Sequence, residues 1–324
     1  MKDGQRTASI LPERDLSSWI TAQRSARAVL DPFTPHSFFL ERERDASGTI
    51  VNSGVILLTN KECPWRCLMC DLWRHTLTIT VPSGAIQQQI AFALERFDTL
   101  PTQLKLYNSG SFFDPAAIPP GDYDGIAKTI SSIRRVIVEC HPRLVGDRTI
   151  QFRDLLFGSL EVALGLETIH PTVLPRLNKK FTLGHFEDAA EFLRLEGIAM
   201  RAFVLVKPPF MTESEAVEWA VKSAEFAFSC CATAVSLIPT RPGNGALDRL
   251  SEAGEFDPPR LATLERALEG AISLRGGRAF ADTWNIEQFS RCPICLEQRR
   301  GRLHEMNLAQ HIPPPVACTS CGEE

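Results

Sequence analysis

Val55-Ile56-Leu57-Leu58-Thr59-Asn60-Lys61-Glu62-Cys63-Pro64-Trp65-Arg66-Cys67-Leu68-Met69-Cys70-Asp71 is the stretch on which the reading of this chain turns. A short apolar run, the pattern of a buried strand, passes straight into three cysteines spaced Cys-x3-Cys-x2-Cys. Thiolates at Cys63, Cys67 and Cys70 give soft iron three ligands and leave one coordination position open. The competing reading is a zinc ion completed by a distant ligand such as His75, although zinc loops favour paired Cys-x2-Cys spacings.

Downstream of this loop, Leu104–Tyr107, Arg135–Cys140, Leu160–Leu164, Ala202–Val206 and Thr233–Ile238 read as strands. Between them, 82–97, 123–133, 183–196, 214–228 and 261–274 place apolar residues at helical spacing. Pro82 and Ser83 open the first of these helices, and Gly197 closes the third. Strands alternating with helices predict a parallel sheet covered by helices. About six strands are fewer than the eight of a closed barrel, and a doubly wound open sheet fits the periodicity equally well. In both architectures the site lies at the C-terminal ends of the strands. Residues 1–48 read as an N-terminal extension, with an amphipathic stretch over 16–30 and a loop through Pro32 and Pro35. Residues 49–285 read as the core domain and 286–324 as a cysteine-bearing tail.

Composition narrows the class. The 324 residues carry a formal net charge of −4, so the surface as a whole does not attract nucleic acid. No apolar run approaches a bilayer span, and Met1–Arg14 lacks the pattern of a secretory signal, which predicts a cytoplasmic protein. The ten cysteines are clustered, which in such a protein argues for metal ligation rather than disulfides. Cys140, Cys230 and Cys231 stand in apolar or strand-like surroundings and are expected in the core.

The Cys63–Cys70 loop resembles the defining motif of the radical S-adenosylmethionine (SAM) superfamily, and the likeness runs from about Gly54 to Ile238. The resemblance implies an α/β fold, a partial (β/α)6 TIM-like barrel. It also implies a [4Fe-4S] cluster whose open iron is chelated by SAM, and an enzyme that reductively cleaves SAM to a 5′-deoxyadenosyl radical. Met69 stands where the family often has an aromatic residue near the adenine. Asn108-Ser109-Gly110-Ser111 resembles the glycine-rich motif that holds the SAM amino group, but the usual acidic residue is absent. Gly165-Leu166-Glu167-Thr168 and Leu177-Asn178-Lys179-Lys180 resemble a block shared by methylthiotransferases and the elongator catalytic subunit. There a polar residue at the Glu167 position contacts SAM, and a basic residue at the Lys179 position meets its carboxylate. Leu205–Pro209 and Leu237–Gly243 (with Ile238), at the ends of the fifth and sixth strands, look like the stretches bordering adenine. Residues 108–114 and the C-terminal cysteine pairs resemble, more closely, the archaeosine-forming radical SAM proteins and their bacterial relatives. His141, at the end of a strand facing the same rim, offers proton chemistry or a structural contact.

In the tail, Cys292-Pro293-Ile294-Cys295 and Cys318-Thr319-Ser320-Cys321 form two Cys-x2-Cys knuckles. Four thiolates make a closed tetrahedral zinc site, a small zinc-ribbon-like appendage; an auxiliary iron–sulfur cluster is the other reading. Between the pairs, Arg299, Arg300 and Arg302 are either phosphate contacts or a solvated basic helix. Three functions follow: a radical SAM enzyme that modifies a tRNA nucleotide, one that acts on a small metabolite, lipid or peptide, or a non-catalytic iron–sulfur and zinc protein that binds RNA. An enzyme of this class implies an electron donor such as flavodoxin or ferredoxin.

Overall fold

Strands and helices alternate through most of the chain, as the periodicity predicts. The structure is a computed structural model that describes residues 9–322. The first eight residues of the extension and the last two of the tail therefore lie outside the described residues. Eight strands form one sheet in sequential order: β1 (Ser37–Arg44), β2 (Ile50–Leu57), β3 (Gln103–Tyr107), β4 (Arg135–Cys140), β5 (Ser159–Glu167), β6 (Ala199–Val206), β7 (Ala234–Pro239) and β8 (Arg278–Ala281). Strands β2 to β8 pair in parallel, and β1 runs antiparallel beside β2. The helices are α1 (Leu16–Ala22), α2 (Ala85–Leu94), α3 (Tyr123–Thr129), α4 (Asp147–Leu155), α5 (Val173–Arg176), α6 (Leu183–Leu195), α7 (Glu213–Ser229), α8 (Ala246–Glu252), α9 (Leu261–Ser273) and α10 (Leu296–Ala309). The expected six-strand barrel core is β2 to β7. The sheet curls into a partial barrel, and β1 and β8 extend it on either side.

Pleating divides each strand between two environments. Ile56, Leu106, Val138, Leu164, Val204 and Leu237 face outward and join one core with Ile86, Ile126, Phe152, Phe186, Ala224 and Leu268 from the helices. Each large apolar side chain so buried contributes about 1.5–3 kcal/mol. The inward positions near the start of the strands are charged. Arg201 on β6 donates to Glu43 on β1 at 2.6 and 3.0 Å and to Glu161 on β5 at 2.8 Å. Lys105 on β3 joins Glu43, and Arg135 on β4 reaches Glu161 at 3.1 Å. Burial pushes the Glu43 carboxyl up, yet Arg201 and Lys105 outweigh it and hold the group well below its usual range.

This network explains why 37–44 reads as extension in the sequence and folds as a strand. Leu40-Glu41-Arg42-Glu43-Arg44 has the composition of a solvated surface. Its glutamates instead point into the barrel, where cations from neighbouring strands await them. β8 is short and follows Gly276-Gly277, so it carries little apolar signal of its own.

The outer edge of β8 is covered. The Gln310 side-chain amide accepts from the Ala279 N–H and donates to the Ala279 carbonyl, each at 2.7 Å. The Asn307 amide does the same at Ala281, at 2.8 and 2.9 Å. Three residues apart at the end of α10, the two amides replace the strand that would have paired there. Arg278 donates to the Arg44 carbonyl at 3.1 Å and Arg44 to the Leu308 carbonyl at 3.2 Å, so α10 lies between the first and last strands.

Replacing Asn307 or Gln310 by alanine leaves a backbone N–H and carbonyl of β8 unpaired, so each variant is expected to lose about 1–3 kcal/mol in urea unfolding. An unchanged midpoint would show that these amides do not cap the edge.

Candidate cofactor site

The cysteine loop leaves the C-terminal end of β2 and is fastened by backbone bonds. The Leu68 N–H donates to the Leu177 carbonyl at 2.9 Å. Asn178 donates to the Arg66 carbonyl at 2.6 Å, and Asn244 donates to the carbonyls of Leu68 at 2.8 Å and Cys70 at 3.3 Å. Asn244 is itself held by the Leu247 N–H of α8 at 2.7 Å. Trp65 lies flat on His141, with ring centres 3.7 Å apart and planes 6° from parallel. Leu68 is fully buried with Ile20 of α1 and Leu247 and Leu250 of α8. None of these bonds uses a thiol.

Burial pushes the thiols of Cys63, Cys67 and Cys70 up to about 12, so without a metal they stay protonated. Among the described residues, Cys63, Cys67 and Cys70 do not gather, with one another or with a histidine or carboxylate, into the tight group of ligand atoms that a single ion needs. His75 instead stacks on His36, with ring centres 3.6 Å apart. A donor set of three thiols with no fourth ligand fits a cluster iron that keeps a position for a chelating ligand.

The neighbouring strand ends supply the rest of the rim. A Cβ added at Gly110 would sit 3.1 Å from the Cys63 Cβ, so any other residue would push the β3 loop and the cysteine loop apart by a few tenths of an ångström. Asn108 is fully buried, and both its amide atoms lack a protein partner, the mark of a group that awaits a ligand or water. Ser109 adopts a left-handed backbone (φ 54°). Ser111 is turned away from the rim and accepts from the His141 N–H at 2.7 Å.

At the end of β5, Glu167 also has a left-handed backbone (φ 65°), beside an irregular register at Gly165. It pairs with Lys179, which donates to the Gly165 carbonyl at 2.7 Å. Lys179 is near enough to act on Cys63, Cys67 and His141. Burial first and Lys179 second hold His141 down to about 3; a neutral ring accepting the Arg143 N–H at 3.2 Å and packed on Trp65 makes it a structural support for the loop. Met69 packs between two apolar groups, beside Phe210, and Ile238 belongs to the second of them.

Glu139, at the end of β4, is not singled out by any motif in the sequence. Its Oε1 accepts from the Asn108 N–H at 2.5 Å and the Gly110 N–H at 3.3 Å. Burial nevertheless pushes this carboxyl up to about 7 against those bonds. No cation among the described residues pairs with it. The available signal was a lone acid ending the apolar run Val136-Ile137-Val138, at an inward position of a strand that points to the rim.

The cysteines expected in the core divide. Cys140 is buried and Cys230 half-buried, whereas Cys231 is exposed with a left-handed backbone (φ 65°) in the turn after α7. In the tail, the sulfurs of Cys292, Cys295, Cys318 and Cys321 all lie within 4.8 Å of one another. Cys292 and Cys318 are 3.9 Å apart, and Cys295 and Cys321 are 3.8 Å apart. The N–H groups of Cys321 and Ser320 aim at Cys318 and lower its thiol to about 6. The basic stretch between the pairs is neither a phosphate contact nor a solvated face. Arg299 and Arg302 are buried against Glu265 of α9, and Arg302 also binds the Pro313 and Pro314 carbonyls. Arg300 is half-buried and pairs with Glu287 and Glu297.

No family model matches this chain. It is 26% identical over 243 residues to the archaeosine synthase subunit beta of Methanosarcina acetivorans, covering 69% of this chain and 70% of that protein. It is 28% identical over 204 residues to the protein of the same name from Thermococcus kodakarensis, covering 60% and 63%. The chain is thus similar in sequence to the archaeosine synthase beta subunits. Among solved structures, it is similar to a queuine lyase from Clostridium spiroforme bound to SAM and queuine, with 21% identity, a TM-score of 0.48, and coverage of 63% of this chain and 80% of that one. It is also similar to a radical SAM methyltransferase from Kitasatospora setae with cobalamin and a [4Fe-4S] cluster bound, with 17% identity, a TM-score of 0.45, and coverage of 60% and 39%. At these scores the structural likeness carries no weight for function.

The raised Glu139 carboxyl has a consequence for stability. Its folded pKa, about 7, stands above the ordinary carboxylate value, so the folded state holds the proton more tightly. That contribution is complete at low pH and disappears as pH rises through 7. In metal-free protein, wild type should therefore lose stability relative to Glu139→Gln between about pH 5 and 8. Thermal unfolding across that range checks it, and a constant difference would contradict the assignment.

Proposed function

We propose that this chain is a radical SAM enzyme in which Cys63, Cys67 and Cys70 bind three irons of a [4Fe-4S] cluster. The observation that carries this reading is a pinned loop of three thiols, not closed into a single-ion site among the described residues, at the rim where Lys179, Glu167, Glu139 and the unpartnered Asn108 converge. When bound, the cluster supplies one electron that breaks a carbon–sulfur bond of SAM.

The chain's own residues bind and orient. Glu139 holds the 108–110 loop through one oxygen and offers the other to the SAM amino group, standing in for the acid the β3 motif lacks. Lys179, already oriented by Glu167 and the Gly165 carbonyl, takes the carboxylate. The Asn108 amide supplies a donor and an acceptor at the same rim, and Met69 and Ile238 give the adenine an apolar border. Ser111 serves through the His141 backbone rather than by touching SAM.

The substrate we assign is a tRNA nucleotide, on the strength of the archaeosine synthase beta subunits among the relatives. No helix of the described residues is long and apolar enough to cross a membrane, and a reducing cytoplasm suits unpaired thiols. In the tail the reading is zinc. A Zn–S bond of about 2.3 Å sets neighbouring sulfurs of a tetrahedron about 3.8 Å apart, which agrees with the separations of 3.9 and 3.8 Å. A cubane binds each thiolate through a different iron and needs wider spacing.

Anaerobically reconstituted protein given SAM and dithionite should yield 5′-deoxyadenosine, and Cys67→Ala should lose both this product and the visible absorbance of the cluster. Product from the variant would refute the ligand assignment, and none from wild type would leave a non-catalytic metalloprotein. Retention of tRNA should weaken steeply with salt; no retention would end the tRNA reading.

The tail is tested separately. Metal analysis of wild type should find one zinc, retained by Cys67→Ala and lost in Cys318→Ser with a fall in thermal midpoint. Iron at this site in Cys67→Ala would favour the auxiliary cluster.

A further inference from the structure

The inside of a small barrel is ordinarily filled by the inward side chains of its strands. One layer here is not. Next to the buried ion network and on the same inward face, Tyr107 stands two residues after Lys105 on β3, Phe203 two after Arg201 on β6, and Phe39 two before Glu41 on β1. These three, with Leu57 on β2 and Ser236 on β7, are each half-buried, whereas their outward neighbours Ile56, Leu106, Val204 and Leu237 are fully buried. Solvent therefore reaches the middle of the sheet from the inside, and the lumen holds a pocket.

Aromatic rings divide that pocket. Tyr107 and Phe203, from strands that do not pair, meet edge to face across the lumen with ring centres 5.9 Å apart. The ends of β4 and β5, with Glu139, Glu167 and Lys179, lie on one side of this contact, and β7, β8, β1 and β2 lie on the other. On that second side Trp284 bridges the seam between β8 and β1, its ring centre 5.5 Å from that of Phe39. The Trp284 backbone is fixed, since its N–H donates to Asp282 at 2.9 Å and its carbonyl accepts from Arg241 at 2.6 Å. Its side chain is nevertheless 54% exposed. A tryptophan held firmly at a pocket mouth with half its surface bare is a stacking platform. The pocket also has a polar edge. The hydroxyls of Tyr107 and Ser236 bond to no other group of the described residues, and a purely apolar ligand would leave both unpaired. Burial pushes the Tyr107 hydroxyl up to about 12, so it remains a neutral donor.

We propose that this half of the lumen binds a nucleobase, a flat heteroaromatic ring that stacks on the exposed indole of Trp284 and reaches inward past Phe39, where Tyr107 and Ser236 read its polar edge. The inference rests on the proposed function and names specificity residues that no motif in the sequence marks. Ser236 lies one inward step deeper than Ile238, the proposed border of the adenine, so the base and SAM occupy neighbouring spaces. Phe39 and Trp284 lie outside the six central strands, on β1 and just after β8, and so give the two additions to the sheet a use beyond extending it. A base inside a duplex cannot enter such a pocket, so the nucleotide it belongs to is unpaired or turned out of its stack. Stacking tolerates every base, because each has a π face; the two hydroxyls supply the selection.

The test is anaerobic equilibrium dialysis of the reconstituted full chain against guanosine, adenosine and cytidine, with N-acetyltryptophanamide as an aromatic probe that is not a nucleobase. Wild type should bind one of the nucleosides saturably and in preference to the other two. Trp284→Ala, at an exposed position, should weaken that binding about tenfold or more, and Trp284→Phe should recover most of it. Tyr107→Phe and Ser236→Ala should each narrow the preference among the nucleosides several-fold while stacking persists. The wild-type series needs no variant to fold. Absence of saturable binding, a Trp284→Ala variant that binds as tightly as wild type, or tighter binding of N-acetyltryptophanamide than of every nucleoside overturns the proposal. Formation of 5′-deoxyadenosine from SAM and dithionite is followed in the same preparations. Product without nucleoside binding sinks this inference alone; nucleoside binding that depends on Trp284, without product, sinks the enzyme reading and upholds the pocket.

Discussion

A carboxylate in the interior of a barrel has to be met by cations, and here that requirement shapes the sheet. Glu43 and Glu161 come from β1 and β5, and the groups that answer them come from β3, β4 and β6. Satisfying both acids draws non-adjacent strands toward one axis, so the sheet must curl. A buried pair left half-made costs about 3–5 kcal/mol, more than a typical point change. Curling brings the opposite strand ends into one rim, and only on that rim do Gly110, Glu139, Glu167 and Lys179 become neighbours of the cysteine loop.

The loop itself separates holding from ligation. Asn178, Asn244, Leu177 and Trp65 fix its backbone and its one large ring, and none of them occupies a sulfur. Thiols pushed up to about 12 are poor nucleophiles and poor ligands until a positively charged iron displaces their protons. On the proposed reading, a metal bound there would complete the site electrostatically.

What the sequence revealed follows the physics of each signal. The parallel strands β2 to β7 are buried on both sides near their centres and read as apolar runs, and the Cys-x2-Cys spacings mark the four thiols that the fold brings together in the tail. β1 was hidden because its inward face is charged, and β8 because four residues after two glycines hold no period. Glu139 was invisible for a related reason: its role arises from a neighbouring strand's loop, a relation that linear order does not record. The arginines of α10 misled in the opposite sense. Arg299 and Arg302 look like a basic surface until Glu265, 34 and 37 residues away, is found beneath them.

That burial changes what the tail does. Cys295 caps the start of α10, Arg299 donates to the Cys295 sulfur at 3.4 Å and pairs with Glu265, and the far end of the same helix covers the edge of β8. One rigid element thus connects a four-thiol centre to the strand that would otherwise present unpaired backbone groups to solvent. A metal that fixes the helix start also fixes the seal on the barrel, because α10 cannot leave β8 without dragging Cys292 and Cys295 from Cys318 and Cys321. Were a metal bound there, its binding free energy, which in small cysteine knuckles is folding energy, would act on the open side of the barrel as well as on the tail.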